Sequence, residues 1–242
     1  MSLSAARLWG IPLPGVLNGD WRIHLARRAG FSFPRRVNVA GHLLTLLPDE
    51  TVEHDGVRLT SPPRTWLDLA KLLSVEDLVA AGDHLVCAHG PDFPVPKDPV
   101  CSLEELTRAV SRHPGMRGVR TARAALELIR VGSDSAPESL MRMALINAGL
   151  PEPVLNLVVR DVFGGAVLWP DAAYVDHKIS LQYDGQHHGG AQQHLKDIER
   201  QEKSLAHGWL EVRISKHDLE GERPAVVHKV RRALQSRGWR DR

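Results

Sequence analysis

The stretch VLWPDAAYVDHKISLQYDGQHH, residues 167–188, decides the fold of the second half of the chain. Two β-rich runs flank the short polar turn VDHK, a pattern that predicts two adjacent strands. Side chains alternate along a strand, so Gln182 and Asp184 share one face, with Asp171 beside them on the neighbouring strand. Acidic groups on such a strand are costly to bury unless a cation such as Mg²⁺ compensates their charge. The stretch therefore predicts a divalent-metal site, for Mg²⁺ or Mn²⁺.

Simpler structural roles remain open for these polar residues. An aspartate that follows Pro170 can cap a turn, and His187 and His188 can be surface residues after a glycine turn. His188 can equally serve as a metal ligand or as a general base near neutral pH. Because no cysteines stand at ligand spacing from His188, the pattern disfavours zinc.

The sequence around this stretch alternates between helical and strand patterns. The expected elements are a helix (137–148), three strands (154–160, 166–174 and 178–184), a helix (192–207), a strand (210–214) and a helix (223–237). This order of helix, three strands, helix, strand and helix predicts an α/β domain over residues 133–242.

The first part of the chain has a different pattern. Three β-rich runs, 21–28, 36–44 and 56–60, predict a small antiparallel sheet, with His54–Gly56 as an Asp-Gly hairpin turn. Capped helices are expected at 61–73 and 74–86, and the proline-rich segment 89–102 marks a loop between units. The S-x-x-E pattern of Ser102 and Glu105 predicts a capping box at the start of a further helix over 102–113. The predicted organisation is an α+β unit (1–101), an arginine-rich helical connector (102–132) and the α/β domain (133–242).

Composition limits the class of protein. The 242 residues are 43% hydrophobic and 25% charged, which is ordinary globular usage and argues against disorder. Two cysteines are too few for a secreted disulfide scaffold, and Pro12 and Pro14 interrupt the start of the chain where a signal segment would be continuous. With no apolar run of 18 residues, we expect a cytoplasmic protein without a membrane partner.

Basic residues cluster in two stretches, although the net charge is only +2. Residues 108–130 contain six arginines and one acid, and residues 213–242 contain nine lysines or arginines and four acids. Such stripes suit the phosphate backbone of a nucleic acid, although a solvated helix face is an equally simple explanation.

Four separated motifs in the second half carry a resemblance to a known family. In order they are SAPESLMRMALINAGL, PDAAY, LQYDGQHH and DIERQEKSLAHGWLEVRISKHDL. Together they resemble the branch of the PD-(D/E)XK nuclease superfamily that includes the very-short-patch (Vsr) mismatch-repair endonucleases. The resemblance implies a restriction-endonuclease-like fold and a Mg²⁺-dependent hydrolase that acts on DNA.

Carried over position by position, the resemblance implies roles for individual residues. Its catalytic positions are Asp171, Asp184, His188, Glu138 and Gln182, and its metal ligands are Asp171, Asp184 and His188. Gln182 departs from the pattern, because related domains most often have glutamate there and an amide binds Mg²⁺ more weakly than a carboxylate. The superfamily lysine is replaced by Asp184, which is usual for this branch.

A second resemblance covers the first half of the chain. The motifs LSAARLWGIPLP and TSPPRTWLDLA are similar to AbiEi-type antitoxins of type IV toxin–antitoxin systems, without the winged helix that usually begins those proteins. This resemblance implies a cognate toxin partner. Arg64 and Asp68, four residues apart on a predicted helix, are expected to form a local salt bridge.

Three functions are consistent with these patterns. The first is a divalent-metal-dependent DNA endonuclease or nicking enzyme, in which Arg200, Arg213, Arg231 and Arg232 contact DNA. For Arg200, a salt bridge to Asp197 is an equally good explanation. The second is a catalytically decayed, nuclease-like DNA-binding regulator of antitoxin type, favoured by Gln182. The third is an interaction module without nucleic-acid binding or catalysis, favoured by the small net charge.

Overall fold

The protein is a mixed α+β chain of two compact units. The computed structural model describes residues 2–28, 30–32, 35–185 and 191–241. Unit 1 comprises residues 1–87 and 99–129, and unit 2 comprises residues 88–98 and 130–242. None of the helices in the described part of the chain is long and apolar enough to cross a lipid bilayer.

Unit 1 combines six helices with four strands in its described part. The helices are α1 (Ser2–Leu8), α2 (Gly15–Asn18), α3 (Pro62–Leu69), α4 (Val75–Val86), α5 (Leu103–Arg112) and α6 (Val119–Leu128). The strands are β1 (Ile23–Arg28), β2 (Val39–Leu44), β3 (Thr51–His54) and β4 (Val57–Thr60). A 3-10 turn, Pro48–Glu50, precedes β3.

The strands of unit 1 form two separate pairs, which corrects the predicted single antiparallel sheet. β3 and β4 are antiparallel, and β1 and β2 pair in parallel, with Ile23 opposite Val39. A parallel pair requires the chain to return to the start of the first strand before the second strand begins. Alternation in sequence marks a strand and leaves its direction open.

The predicted Asp-Gly hairpin is confirmed. Asp55 and Gly56 join β3 to β4 with φ angles of 50° and 73°. Positive φ at both central positions is the geometry that matches the twist of a two-residue hairpin.

The predicted helical connector belongs to unit 1. α5 buries Leu106 and Val110, and α6 buries Val119, Ala122 and Ala125. The Ser102 hydroxyl accepts from the Glu105 amide, and the Glu105 carboxylate accepts from the Ser102 amide, so the capping box predicted for α5 is present.

The start of α6 requires a glycine at position 118, because the backbone there is left-handed. Replacing Gly118 with alanine is expected to destabilise the protein by more than about 2 kcal/mol. Its φ is +89°, and a Cβ there would lie 2.6 Å from the backbone of Ala70 and Lys71. Gly115→Ala, in the same turn with open space around its Cα, is the matched control. Urea denaturation measures both, and equal stability of the two variants would contradict the argument.

Unit 2 has three helices, five strands and two 3-10 turns in its described part. The helices are α7 (Ala136–Asn147), α8 (Ala191–Ala206) and α9 (Ala225–Ser236). The strands are β5 (Val159–Arg160), β6 (Ala166–Leu168), β7 (Ala172–Tyr174), β8 (Ile179–Asp184) and β9 (Leu210–Ser215), and the turns are Val175–His177 and Lys216–Leu219.

The main sheet of unit 2 has the order β7-β8-β9. β7 and β8 are antiparallel around the turn Val175–His177, and β8 and β9 are parallel, joined through α8. A helix is the usual crossover between parallel strands. α7 and α9 supply Met141, Leu145, Val226 and Val230 to a core shared with Leu181 and Ile214 of the sheet.

The predicted long strand 166–174 is interrupted, because β6 ends at Leu168 and β7 begins at Ala172. β6 pairs with β5, whereas β7 pairs with β8, so the chain changes sheets at Trp169–Asp171. Pro170 lacks the N–H that a central strand would donate, which suits it to this transition. Asp171 therefore lies immediately before β7.

Candidate active site

Asp171 accepts hydrogen bonds from β8 through both of its carboxylate oxygens. Ala172 lies opposite Leu181, and this register brings Asp171 next to Gln182. Oδ1 of Asp171 accepts from Nε2 of Gln182 at 2.7 Å, and Oδ2 accepts from the Tyr183 amide at 2.6 Å. The aspartate and the amide that the alternation pattern placed together are thus in direct contact.

Glu138 brings a second carboxylate to the same place from the first turn of α7. Its side chain is 9% exposed. Oε2 accepts from the Asp134 amide at 2.8 Å, and Oε1 accepts from the Ser135 hydroxyl at 2.7 Å. Burial raises the pKa of Glu138 above its ordinary value, against the effect of these hydrogen bonds.

The two carboxylates interact electrostatically. Burial, and then the negative charge of Glu138, raise the pKa of Asp171 to about 7, although the Tyr183 amide, the Arg200 charge and Gln182 act in the opposite direction. Like charges held together in a low-dielectric site disfavour simultaneous ionisation. A cation between such groups would remove the repulsion, and perturbed carboxylates of this kind are concentrated at functional sites.

The other predicted metal ligands are placed differently. Asp184 is the last residue of β8, with an exposed side chain, and lies opposite Ser215 of β9. His188 lies outside the described residues, as does His187. Among the described residues, the structure brings Asp171, Glu138 and Gln182 together, whereas Asp184 lies at the exposed end of β8.

Two of the predicted DNA-binding arginines converge on one carboxylate beside the site. Nε of Arg213 donates to Glu211 at 2.9 Å, and Nε of Arg200 donates to the same residue at 3.4 Å. The Glu211 side chain is 6% exposed, whereas the two arginine side chains are about one-third exposed, at 33% and 36%. The side chain of Asp197, the alternative partner of Arg200, lies outside the described residues.

The remaining two arginines lie on α9 and have different surroundings. Arg231 donates to the Ala148 carbonyl at 3.2 Å and forms an ion pair with Asp241 at 3.5 Å. Its guanidinium is therefore engaged within unit 2. The neighbouring Arg232 is exposed and suits contact with a phosphate better.

A cavity of about 220 Å³ opens beside the two carboxylates. Its lining comes from four parts of unit 2: the proline-rich segment, the start of α7, Asn156, and the transition between β6 and β7. The lining residues are His89, Phe93, Pro94, Val95, Gly132, Asp134, Glu138, Asn156, Trp169, Pro170 and Asp171. The segment that sequence analysis interpreted as a loop between units thus supplies part of the cavity wall.

His89 fixes this proline-rich segment to the rest of unit 2. Its Nδ1 lies 2.7 Å from Oδ1 of Asn156, and its Nε2 lies 2.7 Å from Oδ2 of Asp134. Nδ2 of Asn156 donates to the Ala88 carbonyl at 3.1 Å, which orients the amide with its oxygen towards His89. The prolines of HGPDFPVP predicted a loop, but they did not identify what the segment contacts.

Comparison with known proteins identifies two relatives of undetermined function. The uncharacterized proteins MT2308 and Rv2248, from two strains of Mycobacterium tuberculosis, are each 30% identical to this chain over 135 residues. The match covers 55% of this chain and 49% of each relative, so the chain spans about half the length of the curated relatives it matches. No family model and no solved structure matches the chain.

Proposed function

We propose that unit 2 is a divalent-metal-dependent phosphodiesterase that cuts or nicks DNA. The observation that supports this most is the pair of buried carboxylates, Asp171 and Glu138, beside an open cavity, where burial and then the charge of Glu138 disfavour the ionisation of Asp171. An arrangement of this kind lowers the stability of the metal-free fold, and a bound cation reverses the penalty.

The donor set suits Mg²⁺ or Mn²⁺. Asp171, Glu138 and the amide oxygen of Gln182 are hard oxygen ligands, the type that Mg²⁺ prefers. When bound, the metal would stabilise charge on the scissile phosphate and lower the pKa of an attacking water. Asp184, the last residue of β8, and His188 remain proposed ligands.

The protein residues around the pair have orienting and charge-stabilising roles in this proposal. Gln182 and the Tyr183 amide fix the orientation of Asp171, and the start of α7 fixes Glu138. Arg200 and Arg213, which are held by Glu211, are suited to donate hydrogen bonds to DNA phosphates beside the site. Arg232, on α9, is suited to a further phosphate contact.

A restriction-endonuclease-like arrangement is part of the same proposal. It is supported by the sheet β7-β8-β9 with one antiparallel and one parallel pair, by the crossover helix α8, and by α7 preceding the sheet. A cytoplasmic location is part of the same proposal, and it accords with two buried cysteines, Cys87 and Cys101, that form no disulfide.

One observation favours the second candidate, a decayed nuclease that binds DNA as an antitoxin-type regulator with a cognate toxin partner. Gln182 contributes a neutral amide where a second acidic ligand would strengthen metal binding, and its N–H already donates to Asp171. This candidate keeps the DNA-binding arginines and lacks turnover.

Replacing Asp171 with asparagine is expected to abolish Mg²⁺- or Mn²⁺-dependent cleavage of plasmid DNA, because the principal anionic ligand is lost, and to leave phosphate-driven DNA binding intact. Asp176→Asn, at an exposed position in the following turn, is the matched control. Gel assays with metal and with chelator measure cleavage, and fluorescence anisotropy measures binding. DNA binding without cleavage by the parent protein would favour the regulator, and chelator-resistant cleavage would contradict the metal site.

A further inference from the structure

We propose that the cavity beside Asp171 receives one unpaired nucleobase of the DNA strand, so that the protein prefers single-stranded or locally unpaired DNA. This inference rests on the proposed function, because it takes the metal that Asp171 and Glu138 would bind as the group that holds the phosphate. It adds the class of substrate.

The size of the cavity suits a single flat group. Pockets for drug-sized ligands have volumes of about 300–1,000 Å³. The 220 Å³ available here is smaller and fits one heterocyclic base better than a folded ligand or a base pair.

Aromatic side chains form the walls. The Phe93 ring stacks on the His89 imidazole, with centroids 4.4 Å apart and an interplanar angle of 22°. Trp169 also lines the cavity, and its Nε1 donates to the Asp92 carbonyl at 2.8 Å, which fixes the indole. Aromatic platforms bind bases of any sequence, because every base presents a π face.

The charges of the lining favour a base over a phosphate. Three carboxylates, those of Asp134, Glu138 and Asp171, line the cavity, and they repel an anionic group. A nucleobase is neutral, and its N–H groups can donate hydrogen bonds to these carboxylates. The phosphate attached to its sugar would be held by the metal that Asp171 and Glu138 would bind.

The segment that carries Phe93 is held in place before any ligand arrives. His89 and Lys97 exchange backbone hydrogen bonds of 2.9 and 3.1 Å, which close the segment between them. Lys97 also pairs with Asp134 at 3.2 Å, and prolines restrict the residues in between. A pre-organised platform loses little conformational entropy on binding.

The test compares a labelled single-stranded oligonucleotide with the same sequence in a duplex, by anisotropy in chelator. We expect the single strand to bind at least about tenfold more tightly, and Phe93→Leu to weaken only that binding. One base–aromatic stack contributes ~1–3 kcal/mol, which is roughly 5- to 150-fold in Kd. Phe163→Leu is the matched control, because Phe163 is 93% exposed in unit 2 and lies outside the cavity lining.

A second pair of variants separates stacking from folding. Trp169→Phe keeps a ring and should retain single-strand binding, whereas Trp169→Leu should lose it. 2-Aminopurine in the oligonucleotide should be quenched on binding to the parent protein and less so with Phe93→Leu. If duplex is bound and cleaved with metal while Phe93→Leu behaves like Phe163→Leu, the base pocket is wrong and the nuclease stands. If neither form of DNA binds, the proposed function fails as well.

Discussion

Replacing Arg64 with methionine is expected to destabilise the protein by about 3–5 kcal/mol, because two buried carboxylates would lose their shared cation. Arg64, Glu50 and Asp68 are 3%, 4% and 1% exposed. Nε of Arg64 donates to Asp68 at 3.1 Å, which confirms the predicted salt bridge, and its Nη1 donates to Glu50 and to the Thr45 carbonyl. Urea denaturation followed by tryptophan fluorescence measures the loss.

The control is Arg112→Met, which removes an exposed ion pair with Asp49 and should cost at most about 1 kcal/mol. Burial raises the pKa of Asp68, against the charge of Arg64. Without Arg64 the pKa of Asp68 should rise further. The loss in free energy of unfolding caused by Arg64→Met should therefore become smaller as the pH falls, because Asp68 takes up a proton. Equal losses in the two variants would show that the buried network contributes no more than a surface pair.

Replacing Gln182 with glutamate is expected to tighten Mg²⁺ binding by about tenfold and to destabilise the metal-free protein, because a third negative charge joins Asp171 and Glu138. Gln235→Glu, at an exposed position of α9, is the charge-matched control. Calorimetric titration measures the affinity for Mg²⁺, and thermal unfolding in chelator measures the loss of stability of the metal-free protein. Negligible heats in the parent and in Gln182→Glu would mean that these strands hold no metal.

The pH dependence of the metal-free protein follows from the same pair. The pKa of Asp171 is raised from 3.8 to about 7 in the folded protein, mainly by burial and then by Glu138. Between these values the folded state binds more protons than the unfolded state, so the Asp171 contribution makes the free energy of unfolding fall as the pH rises from about 4 to about 7. Asp171→Asn should remove that slope, and saturating Mg²⁺ should offset it, in melts at a series of pH values. A slope unchanged in Asp171→Asn would contradict the assignment.

Features encoded within a few residues could be predicted from the sequence. Alternation and a short turn were sufficient to place Asp171 beside Gln182, and the Asp55–Gly56 turn and the Ser102 cap followed from local backbone chemistry. The described helices of unit 2 begin and end within about two residues of their predicted bounds. These elements depend on neighbours along the chain.

Features that depend on distant partners could not be predicted. The parallel pairing of β1 and β2 needs the path of the intervening chain, which hydrophobic alternation does not contain. Arg231 belongs to a basic stretch, yet its partners, Ala148 and Asp241, come from beyond its own helix. His89 lies 45 residues from Asp134 and 67 from Asn156, so the local sequence gave no sign of the cavity that it helps to build.

The contacts of His89 have a consequence for the order in which the protein matures on the ribosome. The segment 88–98 belongs to unit 2, yet it is synthesised before the last two helices of unit 1. At ~5–20 residues per second, roughly 2–9 s pass between the synthesis of His89 and that of Asp134, the earlier of the two residues, Asp134 and Asn156, that bond to its imidazole. The segment that carries Phe93 therefore lacks its later partners until the last residues of unit 1, up to residue 129, have been synthesised. The proposed nucleobase cavity can form only after that, late in translation.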